Sequence, residues 1–540
     1  MLLESLLSRI SEFLILTTLK KSEPSSRDVS LDALKTVVGD RLHATTPFST
    51  PCFVDPKGED CRAVKANYVD EAARARHPAA YIQTQWETCQ RTHEQCLVDH
   101  NDGDSLFENA RTCAKGSISD NHIDVRSAED VQAAFKYSRV TGVPLIIQNT
   151  GHDYKGRSSA PGSLGLWMHN LKSVAFTSIS FDPDFKPSGC VDRKPQAAVT
   201  VGAGVQWGEA YEFAEKHNIT LVGGADKTVG VAGGWLQGGG HSALSNTMGL
   251  GVDRVLQFKV VTPDGRYRIT NECQNEDLFF ALRGGGGGTF GVVMEASILA
   301  SPRVTLQTVI LKFPRNTTFT LAMWHMMVDN GLKWANDGWG GFAAANVLVL
   351  VNPRLNKEEV LESLAPLIAF GTELQNTENG RLIVTEFPSW GSFFKAFTRD
   401  HVASVGSSLA LASRLVGKSN FATPDKRNET VTALLTAEAA TPGLIILLTA
   451  PSSVPSSGMT SVTDAWHSSL YHVTVVGHWS WNATIQEKKA QYDRVSASID
   501  NLRKITPDAA YVNEADINEA NHEGLHGFFV ASNHKRWLIR

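Results

Sequence analysis

Residues 148–159 read Q-N-T-G-H-D-Y-K-G-R-S-S and follow the short apolar run V-P-L-I-I-Q at 143–148. That run predicts a buried strand that leads directly into a glycine-rich loop. The spacing of glycines, basic residue and serine approaches that of a phosphate-binding P-loop, but Arg157 stands where lysine belongs. A P-loop must also open a helix, and the proline and glycines of 161–165 prevent one. The sequence therefore predicts a loop centred on His152 that is not a nucleoside triphosphate site.

Length and composition indicate a globular protein of several domains. The chain has 540 residues, which is too long for one compact core, so two or three domains are expected. Its hydrophobic fraction of 42% and charged fraction of 20% are ordinary for such proteins. A formal net charge of -5 gives no reason to expect nucleic acid as a partner. No apolar run reaches the ~18 residues that a stable membrane span needs.

The cysteines favour an oxidising compartment. Five of the seven crowd the first 113 residues, without a C-x-x-C pair, whereas Cys190 and Cys273 are isolated. We predict two disulfides within residues 52–113, with the pairing left open, and a secretory or extracellular location. Four glycosylation sequons, at Asn218, Asn316, Asn428 and Asn482, point the same way. Residues 1–21 fit a signal peptide or an amphipathic helix equally well, because Glu4, Arg9 and Glu12 interrupt the apolar stretch.

The sequence pattern divides the chain into four segments. Residues 1–115 are rich in cysteine and irregular, and residues 116–304 alternate strands and helices with glycine at the turns. In the latter segment we predict a helix that begins with a capping box at 127–130 and a hairpin that turns at 263–265. Further predicted elements are helices near 207–216 and 277–283 and a strand at 219–223. Residues 305–500 form a separate domain with strands near 347–351 and 443–448, and residues 501–540 form a C-terminal segment.

Two motifs suggest other chemistries. G-A-G-V-Q-W-G at 202–208 follows a strand and opens a helix, as a dinucleotide fingerprint does, but its third glycine is one residue late. That fingerprint also needs a doubly wound parallel sheet, which the downstream hairpin does not supply. H-E-G-L-H at 522–526 has the spacing of a zinc protease, but Gly524 interrupts the required helix. We therefore expect no metal site.

Three glycine-rich blocks together carry a specific resemblance. They are N-T-G-H-D-Y-K-G-R-S (149–158), T-V-G-V-A-G-G-W-L-Q-G-G-G-H-S (228–242) and L-R-G-G-G-G-G-T-F-G-V-V (282–293). In this order they resemble the FAD-binding module of the vanillyl-alcohol oxidase / p-cresol methylhydroxylase (PCMH) superfamily. The stretches Y-V-N-E-A-D (511–516) and S-N-H-K-R-W-L (532–538) resemble the fungal FAD-linked oxidoreductases of the berberine bridge enzyme-like branch. The resemblance covers most of residues 50–540.

The resemblance implies an α+β, PCMH-type fold in which two subdomains at 116–304 bind FAD. An inserted α+β substrate domain at 305–500 and a short berberine-bridge-like segment at 501–540 complete it. His152 would be joined covalently to the flavin, since a neutral imidazole is a competent nucleophile. Residues 228–242 would line the pyrophosphate and isoalloxazine, and residues 291–293 the adenine side, where missing Cβ atoms let backbone approach the cofactor. The implied cofactor-binding residues are Asn149, Thr150, Gly151, His152, Asp153, Tyr154, Gly156, Ser158, Thr228, Val229, Gly230, Gly233, Gly234, Gln237, Gly238, Gly239, Gly240, His241, Gly291, Val292, Val293 and Asn533.

The sequence departs from the family pattern at three places. Members with a second, cysteinyl link carry cysteine two residues before Thr-Val-Gly, where this chain has Asp226. A single covalent bond is therefore expected. His534 replaces a frequent tyrosine, and the sequence stops at Arg540, where relatives usually continue for some tens of residues. We therefore expect either that the C-terminal segment is truncated or that the FAD domain is less well closed.

The resemblance implies an FAD-dependent oxidoreductase that takes a hydride from a small organic substrate, with a role in fungal secondary metabolism. Val229 stands where relatives that react with O2 tend to carry a small aliphatic residue, which favours an oxidase with O2 as acceptor. The catalytic base would come from the 305–500 domain or from Asn513 or Glu514. The alternatives are an NAD(P)-dependent dehydrogenase that uses 202–208, and a flavin-deficient, non-catalytic relative. The substrate itself is not indicated by the sequence.

Overall fold

The computed structural model describes residues 31–100, 112–172, 178–397 and 404–521. Helices and mostly antiparallel sheets follow one another without a regular βα alternation, which confirms the expected α+β class. The longer helices are Leu31–Val38, Glu59–Ala66, Ala128–Thr141, Trp207–Lys216, Glu276–Leu282, Thr317–Asp337, Lys357–Ser363, Ala365–Thr377, Trp390–Phe397, Pro424–Ala440, Ile485–Ser498 and Asp500–Ile505. Shorter ones are Thr50–Val54, Glu71–Ala75, Gly234–Gln237, Ser245–Met248 and Ala465–Ser468.

A four-stranded sheet carries the His152 loop. Its order is Leu42–Ala44, Asn121–Asp124, Leu164–Trp167 and Leu145–Gln148, and the last three strands are parallel. The predicted helix after 127 is present, with Ser127 and Asp130 forming the capping box. Val131 and Ala134 on its inner face are fully buried against this sheet. The strand Leu145–Gln148 ends directly before the loop, so the sheet fixes the position at which the His152 loop begins.

A five-stranded sheet lies beside it and is antiparallel throughout. Its order is Ile179–Phe185, Gln196–Gly202, Val292–Leu299, Val255–Val261 and Tyr267–Thr270. The predicted hairpin is present and Asp264 pairs with Arg268 across its turn. The predicted strand at 219–223 is shorter, Ile219–Thr220, and pairs with Ser301–Pro302. An antiparallel sheet cannot form a doubly wound nucleotide fold.

A seven-stranded antiparallel sheet forms the third layer. Its order is Arg381–Phe387, Leu306–Lys312, Val347–Asn352, Gly340–Ala344, Ile445–Leu448, Ser469–Trp479 and Ser408–Gly417. Since strand side chains alternate, Leu348 and Leu350 pack on the helix Thr317–Asp337, whereas Val349 and Val351 point to the opposite face. That opposite face looks toward the glycine-rich loops.

The N-terminal region differs from expectation. It was expected to be irregular, which is wrong for residues 31–75, where four short helices and a strand occur. Helices of five to eight residues show too little periodicity to be recognised. The two predicted disulfides are present, as Cys52–Cys61 and Cys96–Cys113.

Cys190 and Cys273 are not isolated, because they form a third disulfide across 83 residues of sequence. Among the described residues no helix is long and apolar enough to cross a membrane. The motif at 522–526, the tail at 532–538 with Asn533, and residues 1–21 lie outside the described residues.

Candidate active site

A cavity of about 700 Å³ lies where the three sheets meet. The loop after the four-stranded sheet and the glycine-rich blocks form one side, and the seven-stranded sheet forms the other. Sequence-predicted residues that line it are Asn149, Thr150, Gly151, His152, Asp153, Tyr154, Ser158, Val229, Gly230, Gly233, Gly234, Gln237, His241, Gly291, Val293, Asn513 and Glu514. Of the remaining predicted residues that the structure describes, Gly156, Thr228, Gly238, Gly239, Gly240 and Val292 do not line the cavity themselves. The three blocks, far apart in sequence, thus meet at one cavity.

His152 is held by a hydrogen-bonded network on the cavity wall. Its Nε2 lies 2.7 Å from Thr228 Oγ1 and 3.5 Å from Asp226 Oδ1. The Thr228 hydroxyl donates to Asp226 Oδ1 over 2.9 Å, and the Thr228 N–H donates to the same oxygen over 2.8 Å. Because the single hydroxyl proton is directed to the carboxylate, Thr228 accepts from Nε2–H. The lone pair of the imidazole is then on Nδ1.

Charge and burial act in opposite directions around this network. Burial lowers the pKa of His152, and the nearby Asp226 carboxylate partly opposes this, so the neutral ring is favoured. Burial alone would raise the pKa of Asp226, but His152 and the Thr228 donors outweigh it and lower that pKa. Burial and then Asp226 raise the pKa of the neighbouring Glu71 to about 7, although Lys227 lies 2.7 Å from its carboxyl group.

The glycine-rich blocks leave backbone open to the cavity. A Cβ at Gly234 would meet no atom within 4 Å, whereas one at Gly287 would come within 2.7 Å of the Gly234 Cα. The two loops therefore approach each other as closely as backbone allows and leave a smooth wall. Asn149 Oδ1 and Gln237 Oε1 are buried without a hydrogen-bond partner in the described part of the chain. Such acceptors need donors from a bound group, and the hydroxyl and N–H groups of FAD suit them.

The loop around Asp153 is organised by its own carboxylate. Asp153 accepts hydrogen bonds from the backbone N–H groups of Lys155, Gly156 and Ser158, at 2.8–2.9 Å. Arg157 reaches out of this loop and donates to the Val512 carbonyl over 2.6 Å. The loop is thereby fixed in shape and connected to the C-terminal segment.

The C-terminal segment brings a carboxylate between two imidazoles. Glu514 lies 2.7 Å from His472 Nε2 and 3.2 Å from His241 Nε2. Burial would raise the pKa of Glu514, but the two histidines outweigh it and hold that pKa well below its usual range. Glu514 is therefore an acceptor from both rings. His472 is fully buried, whereas His241 and Glu514 face the cavity.

The other candidate, Asn513, serves the structure of the segment. Its Nδ2 donates to the Gly234 carbonyl over 2.8 Å and to the Tyr511 hydroxyl over 2.6 Å. Its Oδ1 lies 3.4 Å from Arg157 Nη1. The Asn513 amide therefore positions the glycine-rich block. Of the two candidates for the catalytic base, Asn513 and Glu514, Glu514 is the one whose side chain can accept a proton.

An aromatic group on the opposite wall was not predicted from the sequence. It comprises Trp390, Phe393, Phe394 and Phe397 of the helix Trp390–Phe397. Aromatic residues on one helix face are ordinary core residues by their pattern, so the sequence held no signal for a role at the cavity. Glu71 and His472 were also missed, because neither lies in a sequence motif that would indicate a role at the cavity.

Comparisons with known proteins agree with this geometry. A family model described as an FAD binding domain matches residues 121–271. The chain is 35% identical over 489 residues to the FAD-linked oxidoreductase cheF of Chaetomium globosum, covering 88% of this chain and 77% of that protein. It is 34% identical over 533 residues to the FAD-linked oxidoreductase ffsJ of Aspergillus flavipes, covering 89% and 85%.

A solved structure is similar over nearly the whole length. The VAO-type flavoprotein MtVAO615 from Myceliophthora thermophila C1 superposes with a TM-score of 0.79 at 26% identity, covering 94% of this chain and 92% of that one. Fold, cavity and relatives together define an FAD-binding oxidoreductase. The chain belongs to the VAO-type family of FAD-linked oxidoreductases, in which the berberine bridge enzyme-like proteins form a branch. The cofactor implied by the sequence is thereby confirmed as FAD.

The alternative of a nicotinamide-dependent enzyme is not supported. Within 202–208, a Cβ at Gly202 would lie 2.4 Å from the Leu171 carbonyl oxygen, and one at Gly204 would lie 2.2 Å from that of His169. These glycines therefore serve close packing of backbone on backbone. The antiparallel sheet before them excludes the Rossmann arrangement.

Proposed function

We propose that this protein is an oxidase that holds FAD by one covalent bond from His152 and uses O2 as electron acceptor. The observation that carries the proposal is the network of His152, Thr228 and Asp226 on the cavity wall. FAD, when bound, supplies the hydride acceptor. The chain supplies the binding cradle, an oriented imidazole and an acid–base group.

Attachment through Nδ1 of His152 follows from the hydrogen bonds of the ring. Because Nε2–H is directed to Thr228, the free lone pair is on Nδ1 and available to the flavin 8α-methyl carbon. Such attachment would replace one methyl C–H bond and one imidazole N–H bond by a C–N bond, with O2 taking up both hydrogens as H2O2. A glucooligosaccharide oxidase from Acremonium strictum, which is similar in fold at 20% identity and a TM-score of 0.57, carries a 6-S-cysteinyl, 8α-N1-histidyl FAD. In this chain Asp226 offers no sulfur nucleophile, so the second link is not expected.

His241 and Glu514 are proposed as the group that accepts the substrate proton. His241 faces the cavity, and Glu514 orients it through the 3.2 Å hydrogen bond to Nε2. A carboxylate that holds an imidazole in place also stabilises the positive ring after proton uptake. The substrate would lose a hydride and this proton, and O2 would take up both as H2O2. Val229, which lines the cavity, is the residue for which the resemblance favours reaction with O2.

The setting is proposed to be the secretory pathway and fungal secondary metabolism. The three disulfides support an oxidising compartment. Asn218, Asn316, Asn428 and Asn482 are all exposed, as glycan acceptors must be. The relatives in Chaetomium globosum and Aspergillus flavipes are fungal FAD-linked oxidoreductases.

The covalent bond is tested by expressing the full chain in a secreting fungal host. Wild-type protein should keep its flavin through acid precipitation and fluoresce in a denaturing gel. His152→Ala should lose all fluorescence there, while His217→Ala, a change of an exposed histidine, should keep it. Release of all flavin from the wild type contradicts the assignment, and retention in His152→Ala moves the link to another residue. Peroxide formation across a panel of alcohols, sugars and aromatic substrates tests the oxidase activity.

A further inference from the structure

The seven-stranded sheet presents an apolar row to the cavity. Phe342 lies opposite Val349 on one neighbouring strand and opposite Leu447 on the other. Leu447 in turn lies opposite His472. Directly opposed residues of antiparallel strands share a face, so the four side chains follow one another across the sheet. With strands ~4.8 Å apart, the apolar members Val349, Phe342 and Leu447 extend about 10 Å, and the fully buried His472 follows them.

Several side chains on this face of the sheet are partly exposed to the cavity, although they lie inside the molecule. Phe342 and Leu447 keep partial exposure, as does Ile445, two residues before Leu447 on the same face, and all three line the cavity. Phe397 of the aromatic helix extends the wall, with its ring 5.4 Å from that of Phe342 in an edge-to-face arrangement. Apolar surface that faces a cavity is stabilised when an apolar molecule covers it.

The row ends at the proposed acid–base group. His472, its last member, is hydrogen-bonded to Glu514 over 2.7 Å, and Glu514 contacts His241 at the cavity edge. A molecule that covers Phe342 and Leu447 therefore presents one end to this group. The geometry joins a long apolar wall to a polar end.

Hydrogen-bonding groups are scarce along the wall itself. Of the described lining residues from this sheet and the helix Trp390–Phe397, only Thr449 and Trp390 carry a polar side-chain atom, and both atoms are buried without a partner. A sugar bears a hydroxyl on almost every carbon, and each one that is buried without a partner costs free energy. This wall cannot compensate for that cost.

We infer that the substrate is an uncharged, largely hydrocarbon or aromatic molecule with its reacting hydroxyl-type group at one end, and not a carbohydrate. The inference rests on the proposed oxidase function of the same cavity. The hydrocarbon body lies along Val349, Phe342 and Leu447, and the reacting group lies at Glu514 and His241.

The test is a binding titration of the flavin-loaded protein with 1-hexanol, 1-octanol and 1-decanol, and separately with cellobiose. Binding is followed by the flavin absorbance and by tryptophan fluorescence, which Trp390 at the wall reports. Affinity should rise about fourfold for each added CH2, and cellobiose should bind at least tenfold more weakly than 1-decanol. Equal affinity along the alcohol series, or tighter binding of cellobiose, overturns the inference.

Two substitutions locate the binding surface. Leu447→Asn, which puts an amide in the row, should weaken 1-decanol binding by tenfold or more. Ile383→Asn is the matched control, because Ile383 lies on the same face at the far edge of the sheet and does not line the cavity. Equal loss in both variants contradicts the assigned surface. If Leu447→Asn does not fold, the alcohol series on the wild type decides alone.

The flavin measurements separate the two proposals. Protein that carries no covalent flavin but binds 1-decanol in the expected series contradicts the proposed function and supports the apolar site. Protein with covalent flavin that prefers cellobiose contradicts only the substrate class.

Discussion

Asp226 shows how one residue changes the chemistry around His152. At the position where doubly linked relatives carry a cysteine, the carboxylate instead holds Thr228 and faces Nε2 of His152 at 3.5 Å. Glu71 lies beside Asp226, so a second carboxyl group is buried there. Two such groups cannot both ionise without cost. The pair therefore makes the stability of the protein depend on pH.

Glu71→Gln should change the pH dependence of stability. Burial and Asp226 raise the pKa of Glu71 to about 7, above its unfolded value of about 4.3. The stability that the protonated group contributes is thus full below pH ~4.3 and is lost as pH rises through ~7. The free energy of unfolding of Glu71→Gln, relative to wild type, should therefore increase by about 2 kcal/mol between pH ~5 and ~8. Denaturant titrations at several pH values measure it, and a constant difference contradicts the assignment.

Glu514→Gln should reduce kcat by about a hundredfold or more, because the proposed proton acceptor loses its orienting carboxylate. Flavin content should not change, since Glu514 is not needed for attachment.

His472→Gln removes one of the two groups that oppose the effect of burial on Glu514. The pKa of Glu514 should therefore rise, and the acid limb of the profile of kcat against pH should move to higher pH.

The matched control for these variants is His478→Gln, an exposed position on the same strand as His472. It should leave the profile of kcat against pH unchanged.

The acid–base group also brings three possible metal ligands within 4.8 Å of one another, namely His241, His472 and Glu514. Dialysis against a strong chelator should leave activity intact. Activity that is lost there and restored by zinc contradicts the acid–base role.

At the scale of elements, disulfides hold segments that few regular elements support. Cys190 follows the strand Ile179–Phe185, and Cys273 follows the hairpin strand Tyr267–Thr270. The bridge therefore connects the two ends of the five-stranded sheet, whose edge strands are these two. Cys52–Cys61 closes a much shorter stretch, with a separation of 9 residues.

Removing the longer bridge should cost more stability than removing the shorter one. In the chain-entropy description, a closed loop of 83 residues restricts the unfolded state by about 4.5 kcal/mol, and one of 9 residues by about 2.5 kcal/mol. The double variant Cys190→Ala/Cys273→Ala should therefore unfold at lower denaturant than Cys52→Ala/Cys61→Ala. Equilibrium unfolding of both variants measures the order, and the reverse order contradicts the argument.

At the scale of the whole molecule, the site exists only where three sheets meet. The His152 loop belongs to the four-stranded sheet, the apolar row to the seven-stranded sheet, and Glu514 to the C-terminal segment. Arg157 connects the first and last of these through its hydrogen bond to Val512, and Asn513 connects the C-terminal segment to the second glycine-rich block through its hydrogen bond to Gly234. Because the cavity depends on these contacts, its shape and its function are properties of the assembled chain.

The sequence alone determined the fold class, the cofactor and the glycine-rich side of the site. Capping at Ser127, alternation in the strands and the three glycine blocks are local features, and each is specified by residues close together in the chain. His152 and Glu514 could be singled out because they lie within recognisable motifs. The role assigned to each of them remains a prediction.

Only the tertiary structure decided what surrounds those residues. Glu71, His472 and the aromatic helix at 390–397 carry no local pattern that distinguishes them from ordinary core or surface residues. The pairing of Cys190 with Cys273 likewise depends on contacts across 83 residues. Which side chains meet in a cavity is set by sheet register and packing between distant segments, and these are not encoded in any short stretch of sequence.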